Sequence, residues 1–184
     1  MEGKAIDRLR DEHRSIERVV AAMILLADRV ETGRELQQQA FLDAAEFMKL
    51  VRDAHEQKEE QQLFPVLQRR GIALHSVPTR MLIAEHQRAK ALVARLQEAM
   101  DILATGDKPE ARNALVSPLR GLGALYPLHI WQEDLLLFHQ ADRALDASGN
   151  RELLAGFDEV DNALGESVRS RLEHMAERVE RESW

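Results

Sequence analysis

Hydrophobic residues recur at every third or fourth position along almost the whole chain, and no stretch shows the sustained alternation that is typical of strands. This spacing predicts a first helix over residues 5–31, which Gly33 ends. A second helix is predicted over residues 35–70, and Gly71 stops it. Each predicted helix carries one apolar seam along its length.

The third and fourth helices are marked by capping residues and prolines. Ser76 is predicted to cap the third helix, and Asp107 is a candidate cap for the fourth. Pro109 suits the first turn of the fourth helix because proline needs no hydrogen-bond acceptor there. Inside that helix, Pro118 and Pro127 are expected to bend or divide it.

Four long helices joined by short turns predict an all-α fold, namely an up-down-up-down four-helix bundle over about residues 5–146. "DASGN" at 146–150 is predicted to break the chain. An additional C-terminal helical segment over about residues 150–182 should pack outside the bundle. The length of 184 residues fits one domain spanning 1–184.

Composition restricts the possible partners. The net charge of −7 without a basic run argues against a nucleic-acid partner. The absence of cysteine excludes disulfides, thiolate zinc sites and cysteine-ligated iron–sulfur clusters. The longest apolar run, at 19–27, is about half of the ~20 residues that span a bilayer, and the start of the chain lacks the apolar core of a signal peptide. We therefore expect a soluble cytoplasmic protein with no membrane contact.

Each of the four seams is interrupted by one histidine, and these are His13, His55, His86 and His129. Two seams add a carboxylate four residues later, Glu59 and Glu133, which projects from the same helix face as the histidine before it. Glu56 lies about 100° round the helix from its neighbouring histidine and can reach the same point from the side. At a rise of ~1.5 Å per residue, the four helices place these groups at similar depth in a bundle.

Buried carboxylates without a cation would each cost several kcal/mol, so this layer predicts a metal site. Arg52 and Lys58 can act as counterions, but they are too few to neutralise groups from four helices. Four imidazoles and three carboxylates suit two ions, and this donor set favours iron or manganese, with zinc as a further option. The seven candidate ligands are His13, His55, Glu56, Glu59, His86, His129 and Glu133.

The remaining polar residues receive simpler interpretations. Three histidines are expected to be exposed to solvent: His75, His139 and His174. Three acids beside candidate ligands are predicted to face outward: Glu60, Glu85 and Asp134. For Glu60, hydrogen bonding to a ligand is the alternative. Tyr126 either lines the site or fills the core.

Four stretches together resemble the hemerythrin-like, or HHE cation-binding, family over roughly residues 5–145: "RDEHRSIERVV", "HEQKEEQQLFP", "LIAEHQRAKAL" and "YPLHIWQEDLLLF". The resemblance implies a non-haem di-iron centre inside the bundle, with two iron ions joined by an oxo or hydroxo bridge. The implied ligands fall into three sets: His13 with His55, His86 with His129, and the bridging pair Glu59 with Glu133.

Two departures from the family pattern affect the expected function. Oxygen-carrying members use five histidines, two of them four residues apart on the third helix, whereas here His86 has Leu82 before it and Lys90 after it. Many members read "HHxKEE" where this chain reads "HEQKEE", so Glu56 takes the place of the second histidine. This variation resembles the iron-sensing hemerythrin-like domain of a eukaryotic F-box protein. Glu56 is accordingly predicted to be a ligand, and Glu60 is not.

An anionic oxygen donor favours ferric iron more than imidazole does, so O₂ would tend to oxidise such a centre rather than dissociate from it again. The first prediction is therefore a protein that senses or binds iron, O₂, NO or peroxide, and not a reversible oxygen carrier. A di-iron enzyme, either peroxidase-like or an iron donor for iron–sulfur cluster repair, is the second hypothesis. A helical scaffold without metal is the third. The C-terminal segment can serve as the surface for a homodimer or a protein partner.

Overall fold

The computed structural model describes residues 5–72, 79–106, 108–165 and 168–183, and all of its regular elements are helices. The predicted all-α class is confirmed. The α-helices of the described part are α1 (Ala5–Glu31), α2 (Gln38–Val51), α3 (Phe64–Arg69), α4 (Thr79–Thr105), α5 (Pro109–Gln132), α6 (Phe138–Ala144), α7 (Ala147–Ala163) and α8 (Val168–Ser183). Three π-helical segments interrupt the long helices: π1 (Arg52–Glu56), π2 (Glu59–Leu63) and π3 (Glu133–Leu137).

The bundle has four sides. Helix α1 packs against α2 and α5, and α4 packs against the same two helices, so α1 and α4 lie diagonally opposite each other. Helical structure continues from α2 through π1 and π2 into α3, and from α5 through π3 into α6. Consecutive long helices are therefore neighbours, as the up-down-up-down prediction requires.

The predicted helix limits hold at several points. The first helix spans Ala5–Glu31, and Gly33 follows it with φ of 67°. Gly71 has φ of 79° directly after α3, a backbone conformation that glycine adopts without steric cost. The second long helix begins at Gln38, three residues later than predicted. Three of the sequence interpretations fall on residues outside the described part of the chain: Ser76, Asp107 and His75.

Pro109 is the first residue of α5, as predicted. The helix then runs without a break through Pro118 and Pro127, so neither proline divides it. Proline removes one intrahelical hydrogen bond and crowds the preceding turn. Here the buried side chains of Leu115 and Leu122, packed in the core on either side of Pro118, keep the helix in place.

Two hydrophobic clusters occupy the interior, one on each side of the layer of histidines and acids. On α1, Leu9 belongs to the smaller cluster and Ile16 to the larger one, and His13 lies between them. On α4, Leu82 and Ala89 flank the layer in the same way. The polar layer is therefore enclosed by apolar packing above and below, where an unpaired charge is costly.

The C-terminal segment forms the two helices α7 and α8. Asp146 caps α7 by accepting a hydrogen bond from the backbone N–H of Gly149 at 2.8 Å, so the predicted break over 146–150 is confined to its first residue. Along α8, an apolar face packs against α1 and α2, and Arg178 on its polar side pairs with Asp43 of α2 at 2.9 Å. The assignment of the whole chain to one domain stays a prediction. None of the described helices is long and apolar enough to cross a membrane.

Candidate metal centre

Four buried histidines form two pairs in the polar layer. The rings of His13 on α1 and His55 on π1 have centroids 4.8 Å apart. Those of His86 on α4 and His129 on α5 are 4.9 Å apart. All four side chains are almost fully removed from solvent, at 1–2% exposure. Each long helix of the bundle thus contributes one imidazole to the layer.

Two glutamates join the histidine pairs, and each is the first residue of a π-helical segment. Glu133 lies with Oε2 at 3.1 Å from His13 Nε2 and Oε1 at 3.2 Å from His129 Nε2. Glu59 lies with Oε1 at 3.6 Å from His55 Nε2 and Oε2 at 3.5 Å from His86 Nε2. Each carboxylate therefore faces a histidine of both pairs. Such π-helical turns are frequently found at functional sites.

The ligand atoms fall into two overlapping groups, in each of which they lie within 4.8 Å of one another. The first group is His13, His55, Glu59 and Glu133. The second group is His86, His129 and Glu133. The structure thus brings six of the seven predicted ligands together, and Glu133 is common to both groups.

Most of the atoms that face this point lack a hydrogen-bond partner. They are Nε2 of His13, His55 and His86 and both carboxylate oxygens of Glu59 and Glu133. A buried polar atom without a hydrogen-bond partner costs on the order of 1–3 kcal/mol, so a cluster of such atoms around one point requires an explanation. A cation bound between them would satisfy them all. The residues therefore fit a metal site of imidazole nitrogen and carboxylate oxygen, the donor set used by iron, manganese and zinc.

The outer ring nitrogen of every one of these histidines contacts a carboxylate. The Nδ1–Oδ/Oε distances are 3.0 Å for His13 to Asp134, 2.9 Å for His55 to Glu12, 2.7 Å for His86 to Glu60 and 2.9 Å for His129 to Glu85. A carboxylate accepts hydrogen bonds, so each Nδ1 carries a proton, and Nε2 is the ring nitrogen whose lone pair becomes available to a metal when the ring is neutral. This arrangement fixes both the tautomer and the ring orientation that a metal ligand needs.

Comparison with known proteins agrees with this geometry. The model of the hemerythrin HHE cation-binding domain matches residues 4–141. The chain belongs to this family. Among curated proteins, uncharacterized proteins of Mycobacterium tuberculosis strains H37Rv and CDC 1551 and of Mycobacterium bovis are each 27% identical over 165 residues. The matches cover 89% of this chain but only 64% of each relative's length.

The acids that contact the outer ring nitrogens occupy equivalent positions in the two halves of the HHE sequence. Glu12 precedes His13 in sequence but accepts the hydrogen bond of His55, and Glu85 precedes His86 but accepts that of His129. The acids that follow the two joining glutamates, at positions 60 and 134, reach the histidines of α4 and α1. The two halves of the bundle are therefore related by an approximate two-fold arrangement, in which each acid supports a histidine of a neighbouring helix.

The prediction that Glu60, Glu85 and Asp134 simply face outward is wrong. Their side chains are partly exposed, but each bends over the layer to accept a hydrogen bond from an imidazole. Glu60 instead has the alternative role of hydrogen bonding to a candidate ligand, His86. Glu12 is buried and was missed altogether. The signal that could have found it is its position next to a seam histidine, as for Glu85.

Glu56 lies apart from the two ligand groups. It is buried, and its Oε1 accepts a hydrogen bond from the hydroxyl of Tyr126 at 3.1 Å. Burial raises the pKa of Glu56 to about 7, although the charge of His86 opposes the shift. Glu56 also lines a polar cleft of about 280 Å³, whose wall includes Lys90 and His86. Tyr126 therefore lines the surroundings of the site, and the ligand role of Glu56 stays a prediction.

The charges within the layer are unevenly distributed. Burial by itself lowers the pKa of His13, but the hydrogen bond to Asp134 and the negative charges of Glu133 and Glu59 outweigh it and raise that pKa to about 10. Burial lowers the pKa of His55 to about 4. For Glu59, burial and the negative charge of Glu133 raise the pKa well above its usual value. The pKa of Glu133 is well below its usual value because the surrounding histidines outweigh its burial. The surroundings of the two joining acids therefore shift their pKa values in opposite directions.

The remaining histidines and candidate counterions are either exposed to solvent or paired with acids. His139 and His174 are exposed, as predicted. Arg52 pairs with Asp53 at 2.7 Å, near the surface. Lys58 is buried and pairs with Glu12 at 2.5 Å. The two candidate counterions therefore neutralise acids outside the joining pair.

Glu60→Ala is expected to weaken metal binding by roughly 10–100-fold, since loss of a hydrogen-bond partner of a liganding histidine typically has this effect. The substitution leaves His86 Nδ1 without its acceptor at 2.7 Å, so the ring is free to rotate and to change tautomer. Competition with a chelator of known affinity measures the change. The matched control is Glu46→Ala, which removes an exposed glutamate on α2 that pairs with Lys49 at 3.8 Å. Equal metal affinities for the two variants would show that the contact does not support the site.

Proposed function

We propose that this HHE protein is a non-haem di-iron protein that senses or binds iron, O₂, NO or peroxide, rather than a reversible oxygen carrier. The observation that carries the proposal is the convergence of unpartnered imidazole nitrogens and carboxylate oxygens into two groups that share Glu133. Two such groups suit two ions, and the mixture of hard oxygen and imidazole donors suits iron.

In this proposal, His13 and His55 hold one metal and His86 and His129 hold the other. Glu59 and Glu133 serve both positions, because each faces one histidine of either pair. Bound iron would supply one-electron redox chemistry and affinity for small oxygen- and nitrogen-containing ligands. Four carboxylates fix the outer nitrogens of the histidines, so the inner nitrogens stay available as ligands.

Glu56 is proposed as a further ligand at the His86 and His129 position. Its support is its burial, the influence of His86 on its pKa, and its hydrogen bond from Tyr126. A carboxylate at this position favours ferric iron relative to imidazole, which argues for sensing over reversible oxygen carriage. The polar cleft that Glu56 lines leads from solvent to this side of the layer and suits the entry of small polar ligands such as peroxide.

The same cleft supports the second candidate, a di-iron enzyme that consumes peroxide or delivers iron for cluster repair. An enzyme needs a route by which substrate reaches the metal repeatedly, and the cleft of about 280 Å³ whose wall includes Glu56 and His86 is the candidate for its outer part. Sustained turnover with peroxide would favour the enzyme. A change in the visible spectrum that stops after a single equivalent would favour the sensor.

The experiment that tests the proposal is metal analysis of protein purified without a histidine tag. We expect about two metals per chain, mainly iron, since the donors form two groups around a shared carboxylate. A reproducible single zinc per chain would contradict the di-iron proposal, and protein that takes up no metal from iron-supplemented medium would leave only the scaffold hypothesis. The cytoplasmic location, the absence of nucleic-acid and membrane partners, and a homodimer or protein partner through the C-terminal segment stay predictions.

A further inference from the structure

Lys58 is fully buried between two carboxylates from different parts of the chain. Its side chain is 0% exposed, and Nζ lies 2.5 Å from Glu12 Oε1 and 2.8 Å from Asp161 Oδ1. A buried ammonium group is costly unless it is paired, so both acids are needed to hold it in place. Asp161 belongs to α7, which lies outside the four-helix bundle. The C-terminal segment therefore contributes a charge to the interior.

This ion pair continues to the metal centre. Glu12 contacts Lys58 with Oε1, and its other oxygen, Oε2, accepts the hydrogen bond from His55 Nδ1 at 2.9 Å. Asp161, Lys58, Glu12 and His55 thus form one continuous series of polar contacts. The series runs from α7 through the second long helix and α1 to a candidate ligand.

A second cation fixes the α7 end of the series. Arg8 Nη2 binds the other oxygen of Asp161 at 2.6 Å, and Arg8 Nη1 binds Asp158 Oδ1 at 2.7 Å. The Arg8 guanidinium also lies over the ring of Phe157, at 5.9 Å from its centroid. Phe157 is fully buried in the smaller hydrophobic cluster. Asp161 is consequently held by two cations on a helix that is itself anchored by an aromatic side chain.

The supports of the other three histidines are built differently. Glu60, Glu85 and Asp134 are partly exposed, with 33%, 22% and 36% of their side chains accessible, whereas Glu12 is 7% exposed. The residue that corresponds to Lys58 in the other half of the bundle is the neutral Gln132, directly before Glu133. The described part of the chain therefore gives His55 a buried, charged support that the other histidines lack.

We propose that Asp161 and Lys58 are positioning residues for the metal held by His13 and His55, so that α7 is a component of the metal centre. They hold Glu12 as a fixed anionic acceptor, which in turn fixes the ring of His55. The metal at this position should then leave more slowly than the metal at His86 and His129. The proposal rests on the proposed function, since it presumes that the two groups of ligands bind metal.

The test compares wild type with four variants of the full chain, each loaded with iron and then mixed with an excess of a colorimetric ferrous chelator under reducing conditions. Wild type should release its iron in a fast and a slow phase. Asp161→Asn should accelerate the slow phase several-fold and leave the fast phase unchanged. We expect less than the roughly 10–100-fold effect of losing a direct partner of a liganding histidine, because Asp161 acts through Lys58 and Glu12. Asp161→Glu keeps the charge and should restore most of the slow phase.

Asp158→Asn is the matched control, because Asp158 also binds Arg8 but is 65% exposed and does not belong to the series. It should release iron as wild type does. Glu60→Ala assigns the phases, since it removes the support of His86 and should accelerate the fast phase alone. Melting of the metal-free variants distinguishes a positioning role from a purely structural one. In a purely structural role, Asp161→Asn would lower the melting temperature without changing either release rate.

The outcomes distinguish the two levels of the proposal. Wild-type protein that binds no iron contradicts both the proposed function and this inference. The inference is overturned if Asp161→Asn binds two irons and releases them at wild-type rates. It is also overturned if Asp158→Asn accelerates release equally. Both results leave the proposed function intact.

Discussion

Glu133→Gln is expected to reduce the bound metal from about two per chain to less than one, the largest loss from any single substitution in the layer. Glu133 is the residue common to both groups of ligand atoms. Its two oxygens lie 3.1 Å from His13 Nε2 and 3.2 Å from His129 Nε2, so one carboxylate faces both histidine pairs. Glutamine keeps the volume of the side chain but replaces one anionic oxygen by an amide that donates hydrogen bonds. Metal analysis after gel filtration measures the loss.

Glu46→Gln is the control for Glu133→Gln, since it makes the same chemical change on an exposed glutamate of α2. Glu59→Gln provides an intermediate case, because Glu59 belongs to the group of His13 and His55 and approaches only His86, at 3.5 Å, in the other pair. We expect it to lose one metal more readily than the other. Retention of two metals by Glu133→Gln, with a normal circular dichroism spectrum, would show that Glu133 does not bridge the two positions.

The helices and the histidine layer could be predicted because one physical rule determines both. A residue on an apolar seam enters the core, and a histidine at such a position is buried with its neighbours at equal depth. The first helix accordingly spans Ala5–Glu31 as predicted, and His13, His55, His86 and His129 lie in one layer. Periodicity needs only the local sequence, so it was sufficient here.

The carboxylates around the layer could not be predicted from periodicity. Glu12 follows an acidic residue and precedes a candidate ligand on α1, yet it contacts a histidine of the second long helix. Its role depends on the distance between helices and on the direction of the side chain, and neither is encoded in the spacing along one helix. Glu60 and Asp134 were misjudged for the same reason, because a side chain that starts at the rim of a seam can bend inward to an imidazole.

The π-helical segments were also absent from the sequence-based interpretation. Two of them begin at Glu59 and Glu133, the glutamates that face both histidine pairs. A π turn inserts one extra residue into the helical repeat and changes the direction of the side chains that follow. No composition signal marks such a turn, since its cost is offset only by interactions across the finished layer. The local backbone geometry of the centre is therefore a product of tertiary structure.

Glu56 shows how resemblance and geometry contribute separately. Its replacement of a histidine in the family pattern predicts a ligand, whereas the structure directs its carboxylate to the hydroxyl of Tyr126. Burial raises the pKa of Glu56 to about 7 against the positive charge of His86, so a cation bound nearby would favour its charged form. The uneven supports of the two histidine pairs, buried for His55 and partly exposed for His86, likewise emerge only from the folded chain.

Removal of the metals is expected to lower the melting temperature by about 10 °C. A ligand that binds only the folded state stabilises it by about 4 kcal/mol when its free concentration is 1,000 times Kd. For a domain of this size, 1 kcal/mol corresponds to roughly 2–4 °C. Part of this difference in stability comes from the oxygens of Glu59 and Glu133, which are buried without hydrogen-bond partners when no metal is bound. Differential scanning calorimetry before and after verified chelation measures the shift.

Glu133→Gln supplies the decisive comparison for this shift. If the stabilisation comes from metal in the layer, a variant that has already lost its metals should melt at the same temperature with and without chelator. The destabilisation of metal-free wild type should be greatest near π2 and π3, because these segments carry the joining glutamates and lack regular α-helical hydrogen bonding. Hydrogen exchange should therefore accelerate there first, ahead of the α1 and α5 residues that pack in the larger cluster. A wild-type melting curve that does not move after complete removal of metal, or a shift of equal size in Glu133→Gln, would locate the stabilisation outside the histidine layer.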